Sequence, residues 1–122
     1  MTPERRPETF ERAGRLTRRF DYLAVQERGR RVSGSSYLLL ALARPGKVEG
    51  RARLGITVSK KVGKAAVRNQ VKRWIRESYR RMSDLAPAGT DLVVVARTTA
   101  PTRGFAATSS ELRGLLRRLR QA

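Results

Sequence analysis

The sequence predicts an α/β sandwich of the α+β kind: a small, mostly antiparallel sheet of three to four strands with helices packed on it. Three observations predict this class. Two apolar runs, residues 37–43 and 91–97, have the length of strands. Residues 53–59 alternate apolar and polar side chains, as a half-buried strand does, and residues 65–82 carry apolar side chains at helical spacing. The 122 residues suit one domain, with elements in the order α-β-β-α-β-α.

The N-terminal part begins with an expected disordered basic arm over residues 1–15, because this stretch contains Pro and almost no large apolar side chains. A single domain is expected over residues 16–122. Its first helix is predicted to be capped by Thr17 and to end at Gly29, since both residue types are common at these helix positions.

The first strands follow this helix. Residues 30–36 are predicted as a loop or a short irregular strand, and residues 37–43 as a strand because Ser, Gly and Pro flank them. Residues 44–50 are predicted to form a hairpin-like connection to the strand at 53–59. In that strand alternate side chains share a face: Leu54, Ile56 and Val58 on the core side, Arg53, Thr57 and Ser59 on the polar side.

Residues 65–82 are predicted as an amphipathic helix. Its apolar side chains fall in one arc with the width of a core-facing stripe: Val67, Val71, Trp74, Ile75, Ser78 and Met82. The opposite arc is polar and basic: Arg68, Asn69, Lys72, Arg73, Arg76 and Arg80.

The C-terminal part is predicted to hold a turn at residues 86–89, a more buried strand at 91–97 and a last helix. Residues 108–111, Thr-Ser-Ser-Glu, match a capping box, so the last helix is predicted to open there. Its apolar stripe is Leu112, Leu115, Leu116 and Leu119.

The charge of the chain is its most unusual property. There are 28 Lys and Arg residues against 10 Asp and Glu residues, a formal net charge of +18. Such a charge repels itself in the compact state, so it indicates a polyanionic partner. Cys and His are absent, which excludes disulfides, thiolate metal sites and the commonest general base. The longest apolar run, residues 37–43, is too short to span a bilayer.

The positive charge is concentrated in residues 59–81, which hold nine cations and one acid, Glu77. Lys60, Lys61 and Lys64 lie at the start of the predicted helix, where the dipole is already positive, so this end predicts an anion site. A solvated charged face is the usual explanation for such a helix. Here the near-absence of acids removes the intrahelical ion pairs that normally accompany it, which favours a polyphosphate ligand.

Few aromatic side chains are available to stack on bases. Phe20, Tyr22 and Tyr37 are the candidates, although each residue type occurs more often in a core or at its boundary. Trp74 belongs to the apolar arc of its helix and is assigned to the core. Thr57 and Ser59 are candidate donors to phosphates.

The run of residues 55–77, GITVSKKVGKAAVRNQVKRWIRE, resembles the ribonuclease P protein family in the spacing of its Lys-Lys-Val-Gly, Arg-Asn and Lys-Arg motifs. The likeness covers roughly residues 15–120. It implies a cytoplasmic protein that binds the ribonuclease P RNA subunit and precursor tRNA and assists removal of the tRNA 5′ leader. It also implies Mg²⁺ bound mainly by the RNA, no membrane or DNA partner, and a left-handed βαβ crossover.

The resemblance implies roles for particular residues. The RNA contacts would be Lys60, Lys61, Lys64, Arg68, Asn69, Lys72, Arg73 and Arg76. A cleft for the single-stranded leader would be lined by Tyr22, Tyr37, Thr57 and Ser59. No catalytic or metal-binding side chain is expected on the protein.

Two residues depart from the family pattern. Gln70 stands in place of the second Arg of an Arg-Asn-Arg triplet, which removes one guanidinium group. Gln26 stands where the family commonly has a second aromatic residue four positions after Tyr22.

Two other functions remain open. One is a ribosomal protein or other RNA-binding module with no role in cleavage. The other is a self-sufficient protein nuclease, which would need a carboxylate cluster to hold metal ions. The ten acids are scattered, five of them at or before Glu27, which argues against the nuclease.

Overall fold

The computed structural model describes residues 15–44 and 50–121. In chain order the helices and strands are α1 (Arg19–Arg28), β1 (Arg30–Ser33), β2 (Tyr37–Ala43), β3 (Arg53–Thr57), α2 (Ala65–Arg81), β4 (Thr90–Ala96) and α3 (Gly104–Gln121). Short 3-10 turns occur at Lys60–Val62, Ser83–Leu85 and Ala100–Thr102. The arm predicted for residues 1–15 lies outside the described residues except for Arg15.

The four strands form one mixed sheet in the order β1-β2-β4-β3. β2 pairs antiparallel with both β1 and β4, whereas β3 and β4 are parallel. Parallel neighbours require a crossover, and α2 forms it between β3 and β4. The predicted α+β sandwich with a mostly antiparallel sheet is confirmed, and the left-handed sense of the crossover stays a prediction.

The sheet is covered on both faces. Because side chains alternate along a strand, Leu39 and Val94 contribute to the larger core with α2 and α3, while Leu40 and Val93 belong to a second core with α1. The larger core contains Val71 and Ile75 of α2 and the four predicted leucines of α3. The second core contains Leu16 and Val25.

The hairpin-like connection predicted for residues 44–50 is wrong. β2 and β3 are not neighbours, because β4 lies between them. β2 and β4 are the two most apolar strands and pair along their whole length, from Tyr37 opposite Ala96 to Ala43 opposite Thr90. Burying both of them in the middle of the sheet leaves the half-polar β3 at an edge. Residues 45–49 of the connection lie outside the described part of the chain.

Helix α1 begins differently from its prediction. Arg18 occupies the cap position and no side chain caps the helix, so Thr17 does not act as the predicted cap. The helix ends at Arg28, and the N–H of Gly29 donates to the carbonyl of Val25 at 2.8 Å, as expected for the predicted stop.

The predicted capping box at residues 108–111 is also wrong, because α3 already begins at Gly104. The Glu111 carboxylate instead accepts hydrogen bonds from the backbone N–H groups of Ser36 and Tyr37, at 2.9 and 2.8 Å. The Thr108 hydroxyl lies 2.7 Å from the Tyr37 hydroxyl. The Thr108 and Glu111 side chains therefore connect α3 to the start of β2 and do not cap a helix.

The buried carboxylate of Asp91 links β4 to the end of β2 and to β3, and through Arg53 the same network reaches α1. The side chain of Asp91, in β4, is 7% exposed and accepts hydrogen bonds from Arg44 and Arg53 at 2.8 Å each. Arg53 also lies 3.6 Å from Asp21 of α1. Burial favours the protonated carboxyl, but the hydrogen bonds from Arg53 and Arg44 outweigh it, and the pKa of Asp91 is lowered.

Helix α2 follows its prediction closely. Val71, Ile75 and Ser78 are buried, and Met82 is buried just after the helix ends. Trp74 is half-buried against the larger core, as its place in the apolar arc predicts. Within residues 15–44 and 50–121, no helix is long and apolar enough to cross a bilayer.

Candidate nucleic-acid interface

Three exposed lysines surround the start of α2. Lys60 and Lys61 lie in a 3-10 turn and Lys64 occupies the helix cap position. No side chain caps this end, and the first helical hydrogen bond runs from the Arg68 N–H to the Lys64 carbonyl at 2.9 Å. The N–H groups of residues 65–67 therefore precede the helical hydrogen-bond ladder. Together with the helix dipole and three ammonium groups, they form a favourable site for a phosphate.

The outer face of α2 is exposed and positive. A shallow depression of about 360 Å³ is lined there by Asn69, Arg73, Arg76, Glu77 and Arg80. The hydrogen bond from Arg80 to the Glu77 carboxylate, at 2.8 Å, lowers the pKa of Glu77 and keeps it charged. One carboxylate among three arginines leaves this face with a net positive charge, as its sequence predicts.

A larger cleft, about 620 Å³, lies along the other flank of α2. One part of its wall is formed by α1 and the segment before it, and another by β3 and the two residues before that strand. The rest is formed by α2 and the turn that follows it. The lining residues are Arg15, Leu16, Thr17, Tyr22, Arg51, Ala52, Leu54, Ile56, Lys72, Arg76, Tyr79, Arg80, Ser83 and Asp84. Apolar and aromatic side chains thus alternate with five cations and one acid. This combination suits a single-stranded nucleic acid, whose bases stack and whose phosphates need neutralising.

Tyr22 is held in the cleft by β3. Its hydroxyl accepts a hydrogen bond from the Ile56 N–H at 3.2 Å. Its ring lies against Gly55, where a Cβ atom would come within 2.7 Å of two ring carbons. Glycine is therefore required in β3 for the ring to occupy this place. Tyr22 lines this cleft, and its contact with a leader stays a prediction.

The segment before α1 covers part of the edge of β3. The N–H of Leu16 donates to the carbonyl of Leu54 at 2.8 Å, and Arg15 forms an isolated parallel bridge with Leu54. Arg15 and Leu16 thereby become part of the cleft wall, although Arg15 was assigned to the disordered arm.

The assignment of Tyr37 to the cleft is wrong. Tyr37 is 1% exposed in the larger core and does not line the cleft, because β4 lies between its strand, β2, and the cleft-lining strand β3. Its hydroxyl is satisfied by Thr108, and burial raises its pKa. Tyr37 lies on the same face of the sheet as the cleft residues Leu54 and Ile56, but the sequence could not show that β2 is an inner strand.

The remaining predicted cleft residues lie beside the cleft. Thr57 and Ser59 follow Ile56 in the chain, but neither lines the cleft; Thr57 is half-buried and Ser59 is exposed. Phe20 is 75% exposed on α1 and Gln26 is exposed as well, so neither supplies a second ring beside Tyr22.

The structure divides the predicted basic arc of α2 between two surfaces. Lys72, Arg76 and Arg80 line the cleft, while Asn69, Arg73, Arg76 and Arg80 line the outer depression. Arg68, expected to face solvent, is half-buried, and its buried Nε has no hydrogen-bond partner within the described residues. Arg76 and Arg80 are common to both surfaces.

Tyr79 is the main cleft residue that sequence reasoning missed. It is half-buried, and burial raises its pKa to about 12, so its hydroxyl stays protonated. The signal was its spacing: Tyr79 is seven residues after Lys72 and three after Arg76, and residues so spaced share one side of a helix. Arg51 and Ala52 were missed because they precede the predicted strand.

Similar sequences are found among proteins of known class. A family model described as Ribonuclease P matches residues 10–120 of the chain. The ribonuclease P protein component of Desulfovibrio desulfuricans is 44% identical over 109 residues, covering 86% of this chain and 82% of that protein. That of Gluconacetobacter diazotrophicus is 42% identical over 109 residues, covering 88% and 92%.

Solved structures show the same architecture. A mutant ribonuclease P protein of Staphylococcus aureus superimposes with a TM-score of 0.84 at 27% identity, over 93% of this chain and 94% of that one. The ribonuclease P protein of Thermotoga maritima gives a TM-score of 0.76 at 33% identity, over 85% and 96%. The sheet order and the flanking helices are thus those of a known fold.

Proposed function

The chain belongs to the ribonuclease P protein family, and from this premise we propose that it binds the catalytic RNA subunit of ribonuclease P and the 5′ leader of precursor tRNA. Ribonuclease P is an endoribonuclease, and in this proposal its RNA subunit carries out the cleavage with Mg²⁺. The protein acts in the cytoplasm and supplies binding surfaces rather than reacting groups.

The cleft beside α2 is the observation that carries the proposal. A single-stranded leader needs an aromatic or apolar surface for its bases and cations for its phosphates. Tyr22, Leu54 and Ile56 supply the first, and Lys72 with Arg15 supplies the second.

The outer face of α2 is assigned to the RNA subunit. Asn69 and Arg73 are exposed there, with Lys60, Lys61 and Lys64 at the same helix's start. These groups can contact successive phosphates of a folded RNA, because Arg and Lys donate to phosphate oxygens without reading the bases. One helix thereby separates the leader, on its cleft flank, from the RNA subunit on its outer face.

The described residues contain no cluster of carboxylates for a protein-held Mg²⁺. Within the residues that the structure describes, no three acidic side chains converge on one point. A magnesium site on protein needs oxygen ligands, usually including carboxylates. The proposal therefore places Mg²⁺ mainly on the RNA and assigns the protein no step of the hydrolysis.

Precursor tRNA and the purified RNA subunit, incubated with and without this protein at low Mg²⁺, give the direct test. The protein should increase the rate of 5′-leader removal, because its cations neutralise phosphates that would otherwise need Mg²⁺. Equal rates with and without it, despite RNA binding, would favour the alternative of a ribosomal or other RNA-binding module. Cleavage by the protein alone, abolished by EDTA, would instead indicate a protein nuclease.

A further inference from the structure

A second basic surface lies on α3, away from the cleft and the outer depression of α2. Its centre is Arg113, Gly114 and Arg117, which we name the α3 ridge. Both arginines are exposed. In the parts of the chain that the structure describes, neither has a hydrogen bond or an ion pair. None of the three residues lines either surface of α2.

The spacing of these charges is unfavourable for the free helix. Arg117 has Arg113 four residues before it and Arg120 three residues after it, and like charges at such spacings destabilise a helix. Glu111 is the one acid in the sequence of α3, and its carboxylate is occupied by the backbone N–H groups at the start of β2.

Ordinary explanations account for the flanking arginines of α3 but not for the ridge. Arg118 and Arg120 lie in the last turn, where cations complement the helix dipole. They also donate to backbone carbonyls, Arg118 to Ser33 at 3.0 Å and Arg120 to Leu85 at 3.2 Å. Arg113 and Arg117 are in the helix interior, where dipole compensation is weak.

Gly114 gives an independent indication. Glycine inside a helix destabilises it relative to alanine, and is usually explained by a close neighbour that leaves no room for a Cβ atom. At Gly114 a Cβ atom would meet no atom within 4 Å apart from its two chain neighbours and the helix's own backbone, and the side chain of Arg118 is also outside that distance. Nothing within the described protein requires this glycine. It leaves bare backbone on the helix surface, one turn before Arg117.

We propose that the α3 ridge is a second RNA-binding surface, which takes the sugar-phosphate backbone of an RNA double helix. Guanidinium groups grip phosphate oxygens, and bare backbone allows the strand to approach closely. A single strand is disfavoured because the one aromatic residue of α3, Phe105, is half-buried and lies 5.4 Å from the Arg81 guanidinium. The inference rests on the proposed function for the identity of the polyanion, since charge alone does not select RNA.

The charge of the ridge is tested with Arg113→Ala/Arg117→Ala and a matched control, Arg28→Ala/Arg31→Ala, whose arginines are also exposed and lie at the end of α1 and in β1. Binding to the RNA subunit alone, and to precursor tRNA alone, is measured over a range of NaCl concentrations. The ridge variant should lose on the order of tenfold in affinity for one of these RNAs. The slope of log affinity against log salt should fall by about two, one for each phosphate contact.

The RNA that shows the loss identifies the source of the duplex. An equal loss in the control would mean that net charge alone governs binding and would overturn the proposal, as would unchanged affinity for both RNAs. A ridge variant that weakens binding while Lys72→Ala leaves leader binding unchanged would support the ridge and contradict the proposed cleft. If instead Lys72→Ala weakened leader binding and the ridge variant bound both RNAs like the wild type, the cleft would be supported and the ridge contradicted. The two proposals can therefore fail independently.

Gly114 allows a test in which stability and binding move in opposite directions. Gly114→Ala should raise the thermal midpoint of the free protein, because alanine favours the helix and the space is open. Gly114→Leu should fold, yet bind the same RNA severalfold more weakly, because the larger side chain keeps the phosphates away. A Gly114→Leu protein with wild-type RNA affinity would overturn the close approach at this position.

Discussion

Tyr22 and Gly55 show how one residue can determine the place of another. The Tyr22 ring occupies the space that a side chain on residue 55 would fill, and its hydroxyl accepts the Ile56 N–H. The ring therefore fits because Gly55 has no side chain, and the hydrogen bond to its hydroxyl keeps it in that place. This fixes the aromatic surface of the cleft before any RNA binds, which lowers the entropy cost of stacking a base on it.

We predict that Gly55→Ala weakens leader binding although Gly55 itself does not line the cleft. The new Cβ would lie within 2.7 Å of the Tyr22 ring, so the ring must move out of place. Overpacking of this kind should also lower the free energy of unfolding by about 1–3 kcal/mol. Affinity is compared for precursor tRNA and for tRNA without a leader.

Tyr22→Phe is the matched control for this prediction, because it removes the hydroxyl but keeps the ring. It should lower stability by about 1 kcal/mol and retain most of the leader affinity. If Gly55→Ala bound both tRNAs like the wild type, the position of the Tyr22 ring would not matter for the leader.

Asp91 makes the stability of the protein depend on pH, because its stabilising contribution is lost in acid. Because the folded-state pKa of Asp91 is lowered, its contribution is fully present above the pKa of an unfolded aspartate, about 3.9. That contribution is lost as the pH falls through the lower, folded-state pKa. Asp91→Asn should cost about 3 kcal/mol at neutral pH, since it leaves the partly buried Arg44 without a counter-charge and Arg53 with only the longer ion pair to Asp21.

Urea unfolding from about pH 7 to about pH 3 measures this dependence. The variant should lose less stability than the wild type over the acid part of the range. Glu77→Gln is the control, because the Glu77 carboxylate has a lowered pKa but pairs at the surface, where ion pairs contribute little. An unchanged acid profile in Asp91→Asn would mean that other carboxyl groups control acid unfolding.

At the scale of the element, α2 presents different ligands on different flanks. Lys72 and Arg73 are consecutive, yet Lys72 lines the cleft and Arg73 the outer depression, because adjacent helical residues point about 100° apart. Each substitution to alanine removes one positive charge from the same helix. Comparing the two variants therefore separates the effect of where a charge lies from the effect of the net charge, which is the same in both.

We predict that Lys72→Ala weakens binding of precursor tRNA more than binding of leaderless tRNA, and that Arg73→Ala weakens binding of the RNA subunit instead. Each should reduce the salt slope for its own RNA by about one. Circular dichroism provides the folding control, since neither side chain is fully buried. If both variants lost the same affinity for every RNA, the two flanks of α2 would not have separate ligands.

Helices and strands with one buried face could be predicted from the sequence. The pairing of strands and the contacts between residues distant in the chain could not. The stripe of α2 and the leucines of α3 were predicted because helical spacing is a local property. The place of β4 between β2 and β3 was not, because the antiparallel pairing of β2 with β4 depends on the crossover. Thr108 and Glu111 matched a local capping motif, but their hydrogen-bond partners are at the start of β2.

The candidate site was predictable to the same extent. The basic residues around α2 were evident because charge needs no knowledge of packing. Tyr37 was misplaced because the sequence does not show that β4 separates β2 from β3, so a buried residue of an inner strand was assigned to the cleft wall. Tyr79 was missed because it contributes to the cleft only through the position of β3 opposite α2.

For the whole molecule, the net charge of +18 has opposite effects on folding and on binding. Like charges repel in the compact state, so the free protein is less stable than its packing alone would allow. RNA neutralises the same charges, and a ligand that binds only the folded state stabilises it. Folding and RNA binding should therefore respond in opposite directions to salt.

We predict that the thermal midpoint of the free protein rises by a few degrees as NaCl increases from about 0.05 M to about 0.5 M, because salt screens the repulsion between exposed cations. Over the same range the affinity for the RNA subunit should fall steeply, since each neutralised phosphate releases counterions. At low salt, added RNA should raise the midpoint above that of the free protein, and this increment should vanish at high salt. Differential scanning fluorimetry with and without RNA measures all three trends. A midpoint of the free protein that falls with NaCl would mean that ion pairs such as those of Asp91, rather than the net charge, dominate its electrostatic stability.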